Sequence, residues 1–181
     1  MGSAKQLLTY KGKSLLQNMV SVAAGTGFHP VIVVTGANAN SLEKEISGNN
    51  VYIINNSGWE EGIASSIRVV IQALEKNFPF ADGAILMVCD QPFISSALLK
   101  ELYATQQQTG KPIVAATYSG INGTPVLFHK TLFPELLALK GDKGAGKILQ
   151  QQKDLVATVS FPQGGIDIDT PENYDMLKKN E

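Results

Sequence analysis

Residues 84–92 read Ala84-Ile85-Leu86-Met87-Val88-Cys89-Asp90-Gln91-Pro92, an apolar run that stops at a carboxylate and a proline. A short continuous apolar run closed by a turn signal is the pattern of a strand buried on both faces, and such strands belong to parallel sheets covered by helices. The same run recurs upstream as Val31-Ile32-Val33-Val34, closed by Gly36, and as Val51-Tyr52-Ile53-Ile54. Downstream it returns as Pro112-Ile113-Val114-Ala115-Ala116. Between the runs the apolar period switches to that of a helix. Ser14 precedes a face of Leu15, Leu16, Met19, Val20 and Ala23 that ends near Gly25 and Gly27, and 41–46 is a short helix. Ile63, Ile67, Val70, Ile71 and Leu74 form one stripe, and Ser95 precedes Leu98, Leu99 and Leu102. Alternation of this kind predicts βαβ units around a mainly parallel sheet, an α/β fold.

The remainder reads as a strand over 125–128 with Pro125 at its start, helices over 132–139 and 145–152, and a strand over 156–161. Thr170-Pro171-Glu172 then opens the last helix, with a cap residue, a proline at the first helical position and an acid in the first turn.

Composition narrows the class. A chain of 181 residues is close to one ordinary domain, and 44% hydrophobic with 17% charged residues is a globular balance. Fifteen basic residues against sixteen acidic leave a net charge of -1, which gives no basic footprint for nucleic acid or a membrane surface. No apolar run approaches the roughly 18–20 residues of a membrane span, and the N-terminus lacks a signal-peptide pattern. Cys89 is the only cysteine, so no intrachain disulfide forms and the cytoplasm is the expected compartment.

Three constellations carry chemistry. Asp90-Gln91-Pro92 lies at the carboxyl end of a buried strand, where ligands bind in open α/β sheets, and one carboxylate there suffices to begin a Mg²⁺ site completed by substrate phosphates. The plainer alternative is that Asp90 opens a turn before Pro92. In Ile166-Asp167-Ile168-Asp169, period-two alternation sends both carboxylates to one side, where they face a cation or, alternatively, serve the helix cap at Thr170. Gly141-Asp142-Lys143-Gly144-Ala145-Gly146-Lys147 has the spacing of a phosphate loop up to its lysine. It lacks the following Ser or Thr, since Ile148 stands there, and its preceding segment reads as a helix. That leaves a glycine-rich connection, or a loop that places Asp142 or Lys147 at a site. Lys5, Trp59, His29 and His129 show no spacing that singles them out.

Taken in order, six short motifs resemble the molybdenum cofactor nucleotidyltransferases, most closely the cytidylyltransferase branch. They are Met1-Gly2-x-x-Lys5-Gln6-Leu7-Leu8, Asn56-x-x-Trp59-x-x-Gly62-x-x-Ser65-Ser66, Asp90-Gln91-Pro92, Gly120-x-x-Gly123-x-Pro125-Val126-Leu127-Phe128, Gly141-Asp142-x-Gly144-Ala145 and Asp167-Ile168-Asp169-Thr170-Pro171-Glu172. The resemblance implies a three-layer Rossmann-like nucleotidyltransferase with a mostly parallel mixed sheet, one domain over 1–181. The activity implied is transfer of CMP from CTP to the phosphate of molybdopterin, with release of pyrophosphate. Lys5 would contact the triphosphate, and Asp90 would hold Mg²⁺ together with Asp169 and Asp167. Gly62, Ser65 and Ser66 would border the nucleotide, while Gly123, Pro125 and Asp142 would face the acceptor. A molybdoenzyme or its chaperone is the implied partner.

This sequence departs from the family pattern at its start. The family signature begins with a strand and a glycine-rich phosphate loop, and the sequence starts at the Met-Gly that follows them. The expectation is a chain that begins further upstream, and a sheet whose neighbouring edges and apolar faces are exposed without that strand. Alternative readings are transfer of GMP or another nucleotide to a different phosphorylated acceptor, and a non-catalytic nucleotide-binding module.

Overall fold

Local chemistry sets the element boundaries in the computed structural model, which describes residues 4–48, 50–168 and 170–179. Helix α1 (Leu15–Ala24) starts at a reciprocal cap: Gln17 N donates to Ser14 Oγ at 3.1 Å, and Ser14 N donates to Gln17 Oε1 at 3.2 Å. It is preceded by a hairpin of β1 (Thr9–Tyr10) and β2 (Lys13–Ser14), turned by Lys11 and Gly12, both at positive φ. Next come β3 (Ile32–Thr35), α2 (Ala39–Ile46), β4 (Tyr52–Asn55) and α3 (Ile63–Asn77). Strand β5 (Gly83–Leu86) leads through the Asp90 turn to α4 (Ser96–Thr109), which is capped by Ser95 and closed by Gly110 in the left-handed region. The chain continues with β6 (Ile113–Tyr118), β7 (Ile121–His129), α5 (Phe133–Leu137), α6 (Gly146–Gln151), β8 (Val156–Ser160) and α7 (Pro171–Lys179). As the sequence suggests, Thr170 caps α7, with its hydroxyl accepting from Asn173 N at 3.2 Å.

Strands β5, β7, β6 and β8 form one mixed sheet in that order. β7 runs antiparallel to both neighbours, while β6 and β8 are parallel. Alternation along β6 separates two cores. Ile113 and Ala115 face α3, α5 and α6 with Ile71, Leu136 and Phe128, whereas Val114 and Ala116 face α4 with Leu98, Leu102 and Val159. The result is helices on both faces of a sheet, the three layers of an α/β fold. No helix of the described residues is long and apolar enough to cross a membrane.

Most strand limits shift by one or two residues from the sequence expectation, and two of the differences bear on the site. β5 ends at Leu86, so Met87, Val88 and Cys89 lie outside the ladder although they continue the apolar run. β7 begins at Ile121, and Pro125 lies inside it rather than at its start. The register explains how a proline is tolerated there. Ala115 pairs with Val126 and Ala116 with Gly123, so Thr124 and Pro125 sit in a bulge where no ladder N–H is required.

Strands β3 and β4 pair in parallel, Ile32 opposite Tyr52, as a separate two-stranded sheet. Between β3 and β5 lies a cavity of about 1220 Å³, lined by both strands and by apolar side chains of α1 and α3. The accessible surface of 9666 Å² exceeds the roughly 8,500 Å² expected for a monomer of this mass, in line with that opening.

Candidate functional site

At the carboxyl end of β5 the chain turns sharply, and the turn presents Asp90 with its side chain 24% exposed. Lys5, in a short 3₁₀ turn over Lys5–Leu7, places Nζ 2.7 Å from Asp90 Oδ2. The Asp90 carbonyl accepts from Ile168 N at 2.9 Å, which pins the 166–168 segment beside the turn. Asn173 Nδ2 then holds the Asp167 carbonyl at 2.7 Å. The fold therefore brings Lys5, Asp90 and the acidic C-terminal segment to one place from three distant stretches of chain. Asp169 lies outside the described residues.

The donor set suits a hard divalent cation. Mg²⁺ is held by one or two carboxylates plus substrate phosphates and keeps much of its water, and Asp90 is a partly exposed carboxylate beside a phosphate-seeking ammonium. Among the described residues no three His, Cys, Asp or Glu side chains gather into a metal cluster, so a cation at Asp90 would draw further ligands from substrate and water. His129 instead caps a 3₁₀ turn through Nδ1, accepting from Thr131 N at 3.3 Å. Burial pushes the Cys89 thiol up to about 11, with the Asp90 charge adding to it and Lys5 opposing. At neutral pH it stays protonated and is no nucleophile.

Gln91 is the residue that the sequence motifs quote without assigning it a task. It is 2% exposed. Its Nε2 donates to the Gly164 carbonyl at 2.8 Å and to Tyr118 Oη at 3.1 Å, while its Oε1 accepts from Thr124 Oγ1 at 2.9 Å. One buried amide thus ties the Asp90 turn to the bulge that carries Gly123, Thr124 and Pro125. Gly123 itself is fixed by crowding, since a Cβ there would lie 2.3 Å from Tyr118 Oη. A polar side chain directly after an apolar run is the only sequence signal for this hub.

A second group forms around the start of α3. Buried Asn56 donates through Nδ2 to Ser65 Oγ at 2.7 Å and Ser66 Oγ at 3.1 Å, and its Oδ1 accepts from Gly58 N at 3.0 Å. Ser65 Oγ donates onward to the Gly62 carbonyl at 2.8 Å. Ser65 is 3% exposed, so its hydroxyl shapes the 58–62 loop from inside, while Ser66 is half-buried. Trp59 packs its Cβ and ring against Gly36.

Gly62 and Asp142 meet here, although the sequence reading places them on different sides of the site. Gly62 has φ 110°, and a Cβ on it would lie 2.1 Å from Asp142 Oδ1 and 2.8 Å from the Gly141 backbone. Glu61 and Arg68 brace the contact: Arg68 Nη1 donates to Glu61 Oε1 at 2.9 Å and to the Leu139 carbonyl at 2.7 Å. Hydrogen bonds from Arg68, then from the Gly141 amide, hold the Glu61 carboxyl below its ordinary range. This brace is complete at neutral pH and is lost as the pH falls through that lowered value. The 141–147 segment follows α5 and leads into α6, with Lys147 exposed, so no strand precedes it as a phosphate loop would require.

Gly62→Ala is expected to destabilise the fold by about 1–3 kcal/mol, because alanine at this φ is strained and its methyl drives into the Asp142 carboxylate and the Gly141 backbone. Thermal unfolding beside Gly58→Ala, whose Cβ would meet nothing closer than 3.5 Å, checks it. Equal melting points would refute the close contact.

The family model for the MobA-like NTP transferase domain matches residues 1–156. This chain belongs to that family. The family description makes this an NTP transferase domain, a nucleotidyltransferase type. Purine catabolism protein PucB of Bacillus subtilis is 34% identical over 55% of the chain, and the match spans only about half (48%) of PucB. Nicotine blue oxidoreductase of Paenarthrobacter nicotinovorans is 28% identical over 96% of the chain and 87% of its own length. Molybdenum cofactor cytidylyltransferase of Escherichia coli is 21% identical over 99% of the chain and 89% of its own length. The crystal structure of Rv0371c of Mycobacterium tuberculosis in complex with manganese superposes with a TM-score of 0.81 at 28% identity, covering 98% of this chain and 92% of that one. A divalent cation is thus bound by a structural relative of this MobA-like domain.

Proposed function

We propose that this chain transfers CMP from CTP to the terminal phosphate of molybdopterin and releases pyrophosphate. The carrying observation is the Lys5–Asp90 pair at 2.7 Å, set at the carboxyl end of β5 with the 166–168 segment hydrogen-bonded alongside. The likeness to the molybdenum cofactor cytidylyltransferase supports the choice of base and acceptor.

In this reading Lys5 Nζ binds the triphosphate oxygens and offsets charge that grows on the departing pyrophosphate. Asp90, with Asp169 and Asp167, would hold Mg²⁺, which neutralises phosphate charge when bound. Gly62 and Ser66 border the nucleotide, and Ser65 keeps their loop in shape from beneath. Gly123 borders the acceptor with Pro125 buried beside it as support, and Asp142, set against Gly62, stands where the nucleotide and acceptor sides meet; the acceptor's phosphate oxygen forms the new bond to the α-phosphorus as the α–β bridging bond breaks. The bridging electrons leave with pyrophosphate, so no residue of the chain becomes covalently modified. The reaction belongs to the cytoplasm, where a molybdoenzyme or its chaperone would receive the product.

The test is pyrophosphate release from CTP with Mg²⁺ and molybdopterin by the purified protein, run beside GTP and beside sugar phosphates as acceptors. Turnover is expected with CTP and molybdopterin above every other pair. A preference for GTP or a sugar phosphate would replace the named substrates, and no release from any triphosphate would sink the transferase reading.

A further inference from the structure

Three irregular segments meet at Gln91. β5 ends at Leu86, opposite Val126 of β7, so the chain from Met87 to Pro92 runs on without a ladder. Across from it Thr124 and Pro125 lie in the bulge, also outside the ladder. The third segment, 162–168, follows the end of β8 at Ser160. Strand pairing stops short of all three, and the Gln91 side chain spans them. Its Oε1 accepts from Thr124 Oγ1, and its Nε2 donates to the Gly164 carbonyl and to Tyr118 Oη. A carbonyl can only accept, so Gly164 selects Nε2 and leaves Oε1 for the threonine hydroxyl, which gives the amide one orientation. Tyr118 is wedged beside it: a Cβ on Gly123 would lie 2.3 Å from its Oη, and one on Gly164 2.3 Å from its Cδ1.

In the transferase reading these segments carry the two sides of the reaction. The Asp90 turn serves the triphosphate, the bulge follows Gly123 on the acceptor side, and Gly164 leads to Asp167 and Ile168, whose N–H the Asp90 carbonyl accepts at 2.9 Å. In-line transfer needs the acceptor oxygen within roughly 3–3.5 Å of the α-phosphorus, and a misplacement of about 1 Å costs on the order of 100-fold in rate. We propose that Gln91 is a positioning residue for nucleotidyl transfer, whose buried carboxamide sets the Asp90 turn against the acceptor-side bulge and so aligns the two substrates. The proposal rests on the transferase reading. At 2% exposure Gln91 meets neither substrate, so its loss slows the chemical step and leaves triphosphate affinity in place.

The test compares kcat and the KM for CTP, with Mg²⁺ and molybdopterin or whichever acceptor the substrate comparison selects, in the parent and in Gln91→Leu, Thr124→Val and Thr124→Ser. Gln91→Leu removes all three bonds; Thr124→Val removes only the tie to the bulge and decides alone if the first variant does not fold. A kcat lower on the order of 100-fold in Gln91→Leu and about tenfold in Thr124→Val is expected, with the KM for CTP within about threefold and the number of CTP sites per chain unchanged. Thr124→Ser, which keeps the hydroxyl, is expected to recover most of the rate. Parental kcat in the variants overturns the proposal, as does a raised KM at unchanged kcat, the mark of a binding residue. So does a fall in kcat matched by an equal loss of CTP sites, the mark of lost folded protein. Hydrogen exchange at the Ile168 amide reads the same tie without turnover. In Gln91→Leu, or in Thr124→Val in its place, it is expected to quicken about tenfold relative to the β6 amides, and an unchanged ratio overturns the proposal. A parent that turns over no triphosphate fails the transferase reading and removes this proposal with it; an active parent with equally active variants fails this proposal alone.

Discussion

Asp90→Ala is expected to lower kcat/KM for nucleotidyl transfer by about 10³-fold or more, since charge stabilisation by a bound metal is worth several kcal/mol and each 1.4 kcal/mol is tenfold. The substitution removes the carboxylate that would hold the cation and also the partner that fixes Lys5 at 2.7 Å. Its cost to the fold should be small, because the side chain is partly exposed and the Asp90 backbone carbonyl keeps its bond from Ile168 N. Steady-state rates of pyrophosphate release, with melting temperature as the control for folding, check both halves. Activity within threefold of the parent would remove Asp90 from the site.

The largest effect on stability is expected at Phe128, which is fully buried in the core between the sheet and helices α3, α5 and α6. It sits on β7 opposite Ala84 of β5 and Ile113 of β6, so three strands and three helices close around one ring. Phe128→Ala should cost about 3–5 kcal/mol and leave a cavity that its neighbours only partly fill. For a domain of this size that is a fall in melting temperature on the order of 10 °C. A loss under 1 kcal/mol in urea titration would mean that the packing around Phe128 is looser than described.

Much of the layer structure was legible in the residues themselves. Uninterrupted apolar runs marked β3 and β6, the stripe from Ile63 to Leu74 marked α3, and Ser14, Ser95 and Thr170 marked three helix starts, because each of these signals is local. The β1–β2 hairpin was not legible, since two-residue strands leave no period to read. The early start of β7 was hidden by Gly123, Thr124 and Pro125, which have the composition of a loop and enter the strand only because a bulge excuses them from the ladder. The position of Asp90 at a strand end was readable, but its partners were not. Lys5 is 85 residues away in sequence, and only the fold shows that distance closed. Gln91 is the sharpest case: nothing in a lone glutamine announces that it will hold Gly164, Tyr118 and Thr124 together.

The bulge in β7 has a mechanical consequence. Ala84–Leu86 clamp β7 only over Val126–Phe128, with Gly83 opposite His129, and beyond the bulge the strand has β6 alone beside it. The hairpin tip from Thr117 to Asn122 is therefore a cantilever, and its fulcrum is the Thr124–Pro125 step. Thr124 is the residue bolted to Gln91, next to Asp90 in the chain. Gln91 also holds Tyr118 Oη in the tip itself, so a load applied there reaches the carboxylate turn through one buried amide gripped at two points.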